Sequence, residues 1–121
     1  MSNPSDVYYL VAVKTSLRTK GGSRSKNRVN PLPGQGFDTD LFVECSRTIR
    51  DKYPTGTVFL IWAKETDREG GTPFLYSYHS WDFKPVREAL ALQWIARGQI
   101  GKGKFYATPE EIKLIGLTPW E

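Results

Sequence analysis

Thr57-Val58-Phe59-Leu60-Ile61-Trp62-Ala63-Lys64-Glu65 places six apolar residues in a row, five of them large or branched, before a charge appears. Such a run, short and rich in β-branched and aromatic residues, predicts a strand covered on both faces. Val7 to Val13 (VYYLVAV) reads the same way. Two strands that need cover on both sides require helices or further sheet around them, and the flanking sequence supplies candidates. Asp38 or Asp40 can cap a helix running to about Lys52, with Leu41, Cys45 and Ile49 recurring every four residues and Phe42 beside them. Tyr53-Pro54-Thr55-Gly56 ends that helix. Pro73 to Ser80 (PFLYSYHS) predicts a third strand, joined to the second by the polar connector Thr66 to Thr72 as an antiparallel hairpin.

A second helix is expected from Lys84-Pro85, with Val86, Leu90 and Trp94 on one stripe, flanked by Ala89 and Ile95, and with Gly98 as its stop. Lys104 to Ala107 forms a short strand. Thr108-Pro109-Glu110-Glu111 has the three-residue spacing of a capping box and opens a last short helix that ends at Gly116. The expected core includes Leu41, Ile49, Phe59, Ile61, Leu90 and Trp94. The whole is an α+β chain with a predominantly antiparallel sheet and two main helices, in the order β-α-β-β-α-β plus a short C-terminal helix. That order resembles the ferredoxin-like arrangement, with two helices on one face of the sheet; a partly closed α+β barrel reads almost identically. Neither resemblance carries a function.

The chain of 121 residues and 13.8 kDa, 39% hydrophobic and 25% charged, is expected to form a single domain, 1–121. No apolar run approaches a membrane span, and the start lacks the charged and apolar pattern of a secretory signal, so a cytoplasmic protein is expected. Cys45 is the only cysteine and His79 the only histidine. An internal disulfide is thereby excluded, and no zinc cluster or cofactor-binding motif is expected.

The net charge of +4 is unevenly placed. Lys14, Arg18, Lys20, Arg24, Lys26 and Arg28 follow one another with no acid between them, and removing these six charges from +4 leaves the remainder at −2. Glycines and serines interleave them, and Asn30 to Gly36 continues with two prolines. The stretch from about Thr15 to Phe37 therefore reads as a long basic loop, or as a basic hairpin turning at Gly21-Gly22. Clustered Lys and Arg on a Gly/Ser-rich segment suit phosphate contact, because neutralising phosphates releases condensed counterions.

Other chemistry is weakly supported. Cys45 lies on an apolar stripe, where a thiol acts as a small hydrophobe. His79 reads as an ordinary strand-end histidine. Asp38, Asp40, Glu44, Asp67, Glu69 and Asp82 supply acids for a cation, without a recognisable spacing. Gly98 to Lys104 lets Lys102 and Lys104 meet an anion, although a turn with solvated lysines is its plainer reading. In the third strand Phe74, Tyr76 and Tyr78 alternate with Leu75, Ser77 and His79. The aromatic set is the expected core face, with stacking on bases as the alternative for an open face. Trp62, Trp81 and Phe83 alternatively wall a pocket.

The leading expectation is a non-enzymatic protein that binds DNA or RNA. Lys14, Arg18, Lys20, Arg24, Lys26, Arg28, Lys102 and Lys104 would meet phosphates, and Tyr76, Tyr78, His79 and Trp81 would contact bases. The alternatives are an assembly module for acidic protein partners and a small metal-dependent nuclease.

Overall fold

The computed structural model describes residues 7–17, 27–67, 70–78 and 82–117. Its long strands are β1 (Tyr8–Leu17) and β4 (Val58–Thr66), paired antiparallel with Val11 opposite Ile61. Between them in the chain come β2 (Asn27–Pro31), β3 (Val43–Glu44) and the single-turn helix α1 (Arg47–Asp51). After them come β5 (Phe74–Tyr76), β6 (Lys84–Val86), α2 (Glu88–Ala96), β7 (Tyr106–Ala107) and α3 (Pro109–Ile115). The sheet runs β2-β1-β4-β5-β3, with β6 added to β4 and β7 to β1; only the β3–β5 pair is parallel. The fold is therefore mixed α+β on a mostly antiparallel sheet.

Alternation along the two central strands creates two cores. Leu10, Ala12, Leu60 and Trp62 point to one face, where they meet Ala91 and Trp94 of α2, Ile112 of α3 and Ile100. Val11, Val13, Phe59 and Ile61 point to the other, against Val29, Val43, Cys45, Ile49 and Leu75. Covering both faces explains why neither strand shows a polar alternation in its middle. The two ends of the strand path also meet, because Asn30 Nδ2 donates to the Leu41 carbonyl at 3.0 Å.

Several expectations are corrected. The helix from Asp38 or Asp40 to Lys52 shrinks to α1. Asp38 accepts the Asp40 amide instead, and Ser46 is the cap, its hydroxyl accepting from the Thr48 amide. The intervening residues extend because β5 needs partners: the Leu75 amide donates to the Phe42 carbonyl and the Ser77 amide to the Glu44 carbonyl. Backbone pairing here overrides a helical spacing of apolar residues, while Ile49 still reaches the core. The helix expected from Lys84-Pro85 begins instead at Glu88, since Lys84–Val86 pairs with β4. Pro85 is tolerated there on a short added strand. The shift in start rotates the buried stripe to Ala91 and Trp94, leaving Leu90 38% exposed. In β5 the faces are also reversed: Leu75 and Ser77 are buried, Phe74 and Tyr76 half-buried, and Tyr78 exposed.

The loop expected from Thr15 to Phe37 is in large part a hairpin. Leu17 pairs with Asn27 and Val13 with Pro31, so the segment 18–26 joins two antiparallel strands. The capping box is present as expected, with Thr108 Oγ1 accepting from the Glu111 amide and Glu111 reaching back to the Thr108 amide.

Candidate functional site

Asn27, fully buried at the foot of the hairpin, ties it to the rest of the fold. Its Nδ2 donates to the Arg50 carbonyl at 2.8 Å, and its Oδ1 accepts from the Thr55 hydroxyl at 2.7 Å. On the other strand, the Gly56 amide donates to both the Thr15 hydroxyl and the Thr15 carbonyl at 3.0 Å. The two strands that carry the basic segment are thus held on both sides by the turn connecting α1 to β4.

Of the basic candidates, Arg18, Lys20, Arg24 and Lys26 lie outside the described residues, as do the base-contact candidates His79 and Trp81. Arg28 is exposed opposite Ser16 and, among the described residues, has no ion-pair partner. Lys14 projects from the same face two rows away and meets Glu88 at 3.0 Å. With both side chains about 40% exposed (40% and 43%), that pair adds little stability, yet it offsets part of the local positive charge.

Lys102 and Lys104 belong elsewhere. Lys102 lies 3.5 Å from Glu65, and its ammonium sits 5.9 Å from the centre of the Phe37 ring. Glu65 is at the opposite end of β4 from Val58, the partner of Lys14. At roughly 3.3 Å per residue the separation along the strand is about 23 Å. In the Gly98 to Lys104 segment, read chiefly as a turn, the Gly101 amide donates to the Leu10 carbonyl at 2.8 Å and the Lys102 amide to the Gln35 carbonyl at 2.7 Å. Those donors serve the fold. Tyr76 packs on the α2-side core, whereas Tyr78 remains 42% exposed.

The surface between the hairpin foot and Lys102 is concave. A cleft of about 470 Å³ is lined by Phe42, Glu44, Arg50, Thr72, Pro73 and Phe74. A second hollow of about 480 Å³ shares Phe42, Thr72 and Pro73 with it and extends to Lys102. Within the first cleft Phe42 is 43% exposed. The Arg50 Nε is buried and has no hydrogen-bond partner among the described residues. Phe42 was legible only as a residue beside the expected helical stripe, and Arg50 gave no signal. Both acquire their positions because β3 (Val43–Glu44) takes the place of the expected helix, which begins only at Arg47.

Nucleophilic chemistry finds no arrangement among the described residues. Burial pushes the Cys45 thiol up to about 11; the nearby Arg50 charge opposes that rise and Glu44 adds to it. A thiol in that state stays protonated at neutral pH. The folded protein should therefore resist alkylation by iodoacetamide at pH 8 and react once denatured; rapid modification of the native protein overturns this burial. No group of three or more His, Cys, Asp or Glu converges among the described residues. No described helix is long and apolar enough to cross a membrane. Comparison with known families, characterised proteins and solved structures finds no match, so function is argued from the site's own chemistry.

Proposed function

We propose that this protein binds nucleic acid, with the basic β1–β2 hairpin as its phosphate-contacting element, on a fold we read as a partly closed α+β barrel. The observation that carries the reading is the uninterrupted basic series from Lys14 to Arg28, set between paired strands that Asn27 and Thr15 anchor to the body. Anchored strands fix where Lys14 and Arg28 are presented, which lowers the ordering cost of binding a polyanion. Phosphate contact supplies affinity without choosing a sequence, so base contacts must come from another surface.

The test is a binding panel of single- and double-stranded DNA and RNA at two salt concentrations, with heparin as the competing polyanion. Preference for a nucleic acid over heparin supports the reading. Equal binding to every polyanion favours the assembly module for acidic partners.

Replacing Arg24, Lys26 and Arg28 together by Ala should lower the slope of log affinity against log salt by up to about 0.9 per lost duplex phosphate contact. Thermal unfolding should scarcely change, since Arg28 is exposed and exposed substitutions usually stay within about 0.5 kcal/mol. An unaltered slope in a folded triple variant removes the hairpin from the mechanism.

A further inference from the structure

We infer that the outer face of the hairpin foot lies in the major groove of duplex DNA. This rests on the nucleic-acid reading, and it names the substrate class and the surface that reaches the bases. β1 last pairs with β4 at Lys14, opposite Val58, yet it stays paired with β2 through Thr15, Ser16 and Leu17. A two-stranded ribbon therefore extends about 10 Å past the end of β4, at roughly 3.3 Å per residue.

The ribbon has one covered face and one open face. Thr15, Asn27 and Val29 are buried, and Thr15 and Asn27 bond to the body through Gly56, Arg50 and Thr55. Ser16 and Arg28, opposite each other across the two strands, are both exposed. Alternation sends them to the side away from that anchor. Lys14 stands on the same face, and Glu88, 3.0 Å from it, marks the inner limit. Outward from Lys14 the two strands carry no acidic residue of their own.

Charge, width and hydrogen-bonding chemistry together select the ligand. Six cations without an acid between Lys14 and Arg28 complement a polyanion. Two strands about 4.8 Å apart, with their side chains, suit a B-form major groove about 12 Å wide, which admits such a ribbon; the minor groove, about 6 Å wide, is too narrow. The Arg28 guanidinium matches the O6 and N7 acceptors of guanine, and the Ser16 hydroxyl can donate or accept. Those base edges are open in duplex DNA. In duplex RNA the corresponding groove is too deep and narrow for side chains to read.

The test measures binding of the full chain to a duplex DNA of about 20 base pairs, to duplex RNA of the same sequence and to each single DNA strand, a length that exceeds one helical turn of about 10 base pairs. Duplex DNA should bind about tenfold more tightly than the others. Replacing every cytosine by glucosylated 5-hydroxymethylcytosine fills the major groove and should weaken binding about tenfold, whereas netropsin, which occupies the minor groove, should leave it nearly unchanged. Ser16→Glu should weaken duplex binding about tenfold, and Thr72→Glu, the same charge change on an exposed residue beyond the other end of β4, should scarcely alter it. If Ser16→Glu fails to fold, the groove-filling comparison decides, since it needs no variant. Hairpin-dependent binding that does not favour duplex DNA, or that netropsin abolishes and glucosylation spares, overturns the groove assignment and leaves the hairpin reading intact. Equal losses in the two folded Glu variants also overturn it. Absence of binding to every nucleic acid overturns both readings.

Discussion

Trp62→Ala should destabilise the protein by about 3–5 kcal/mol, the cost of emptying a large aromatic site in a packed interior. Trp62 is 1% exposed at the middle of β4, directly opposite Leu10 of β1. Its ring lies 5.5 Å from that of Phe105, and its indole N–H donates to the Gly116 carbonyl at 2.9 Å. One side chain thus joins the central sheet, the segment leading into β7 and the end of α3. Since small domains are stable by only about 5–15 kcal/mol, the loss is a large fraction of the whole. Trp62→Phe should cost far less, because it keeps most of the apolar volume and leaves a carbonyl on an exposed residue that water can reach. Urea unfolding followed by circular dichroism measures both. Equal and small shifts in the two midpoints would show that the α3 end does not depend on this residue.

The same strand shows how far the fold was legible. The runs around Val11 and Ile61 announced two strands buried on both faces, and these became the sheet centre. Thr108 and Glu111 announced a helix start through side-chain chemistry local to four residues. Legibility failed where the deciding partner is distant in sequence. Nothing near Phe42 shows that its carbonyl will accept from Leu75, yet that bond and its neighbour make 43–44 a strand. Leu90 failed for a related reason: pairing of Lys84–Val86 with β4 delays the helix, and the delay turns Ala91 inward. The candidate site divides in the same way. The basic series is visible as composition, because charge needs no fold to be counted. The cleft is not visible, since Phe42, Arg50 and Phe74 meet only through the β3–β5 pairing and the placement of α1.

Gln35 is the sharpest instance of a distant partner, and replacing it should cost more than its place in a proline- and glycine-rich stretch implies. Along the edge of β1 away from β4, β2 ends opposite Val13 and β7 begins opposite Tyr9, which leaves a gap in the ladder. The Gln35 side chain fills part of it. Its Oε1 accepts from the Ala12 amide at 2.8 Å, and its Nε2 donates to the carbonyls of Ala12 at 2.8 Å and Leu32 at 3.0 Å. The Gln35 backbone is in turn held by Lys102, and Gly101 packs so closely that a Cβ there would lie 2.9 Å from the Gln35 carbonyl oxygen. Gly101 must therefore be glycine on two counts, this contact and its φ of 107°.

Gln35→Leu keeps the volume but strands the Ala12 amide in the interior and removes a donor from Leu32; at about 1–3 kcal/mol per buried group, a loss near 3 kcal/mol is expected. Gln35→Glu should be worse at neutral pH, because a carboxylate oxygen would face two carbonyls that now receive an N–H. Burial and those carbonyls should raise its folded pKa above the unfolded value, so its protonated form favours the native state. Relative to the unaltered protein at the same pH, stability should then be retained below the unfolded carboxyl pKa of about 4.3 and fall as pH rises through the folded value. Unfolding midpoints of both variants between pH 4 and 8 measure this. A Gln35→Glu penalty that is flat across that range would place the side chain in water and remove it from the ladder.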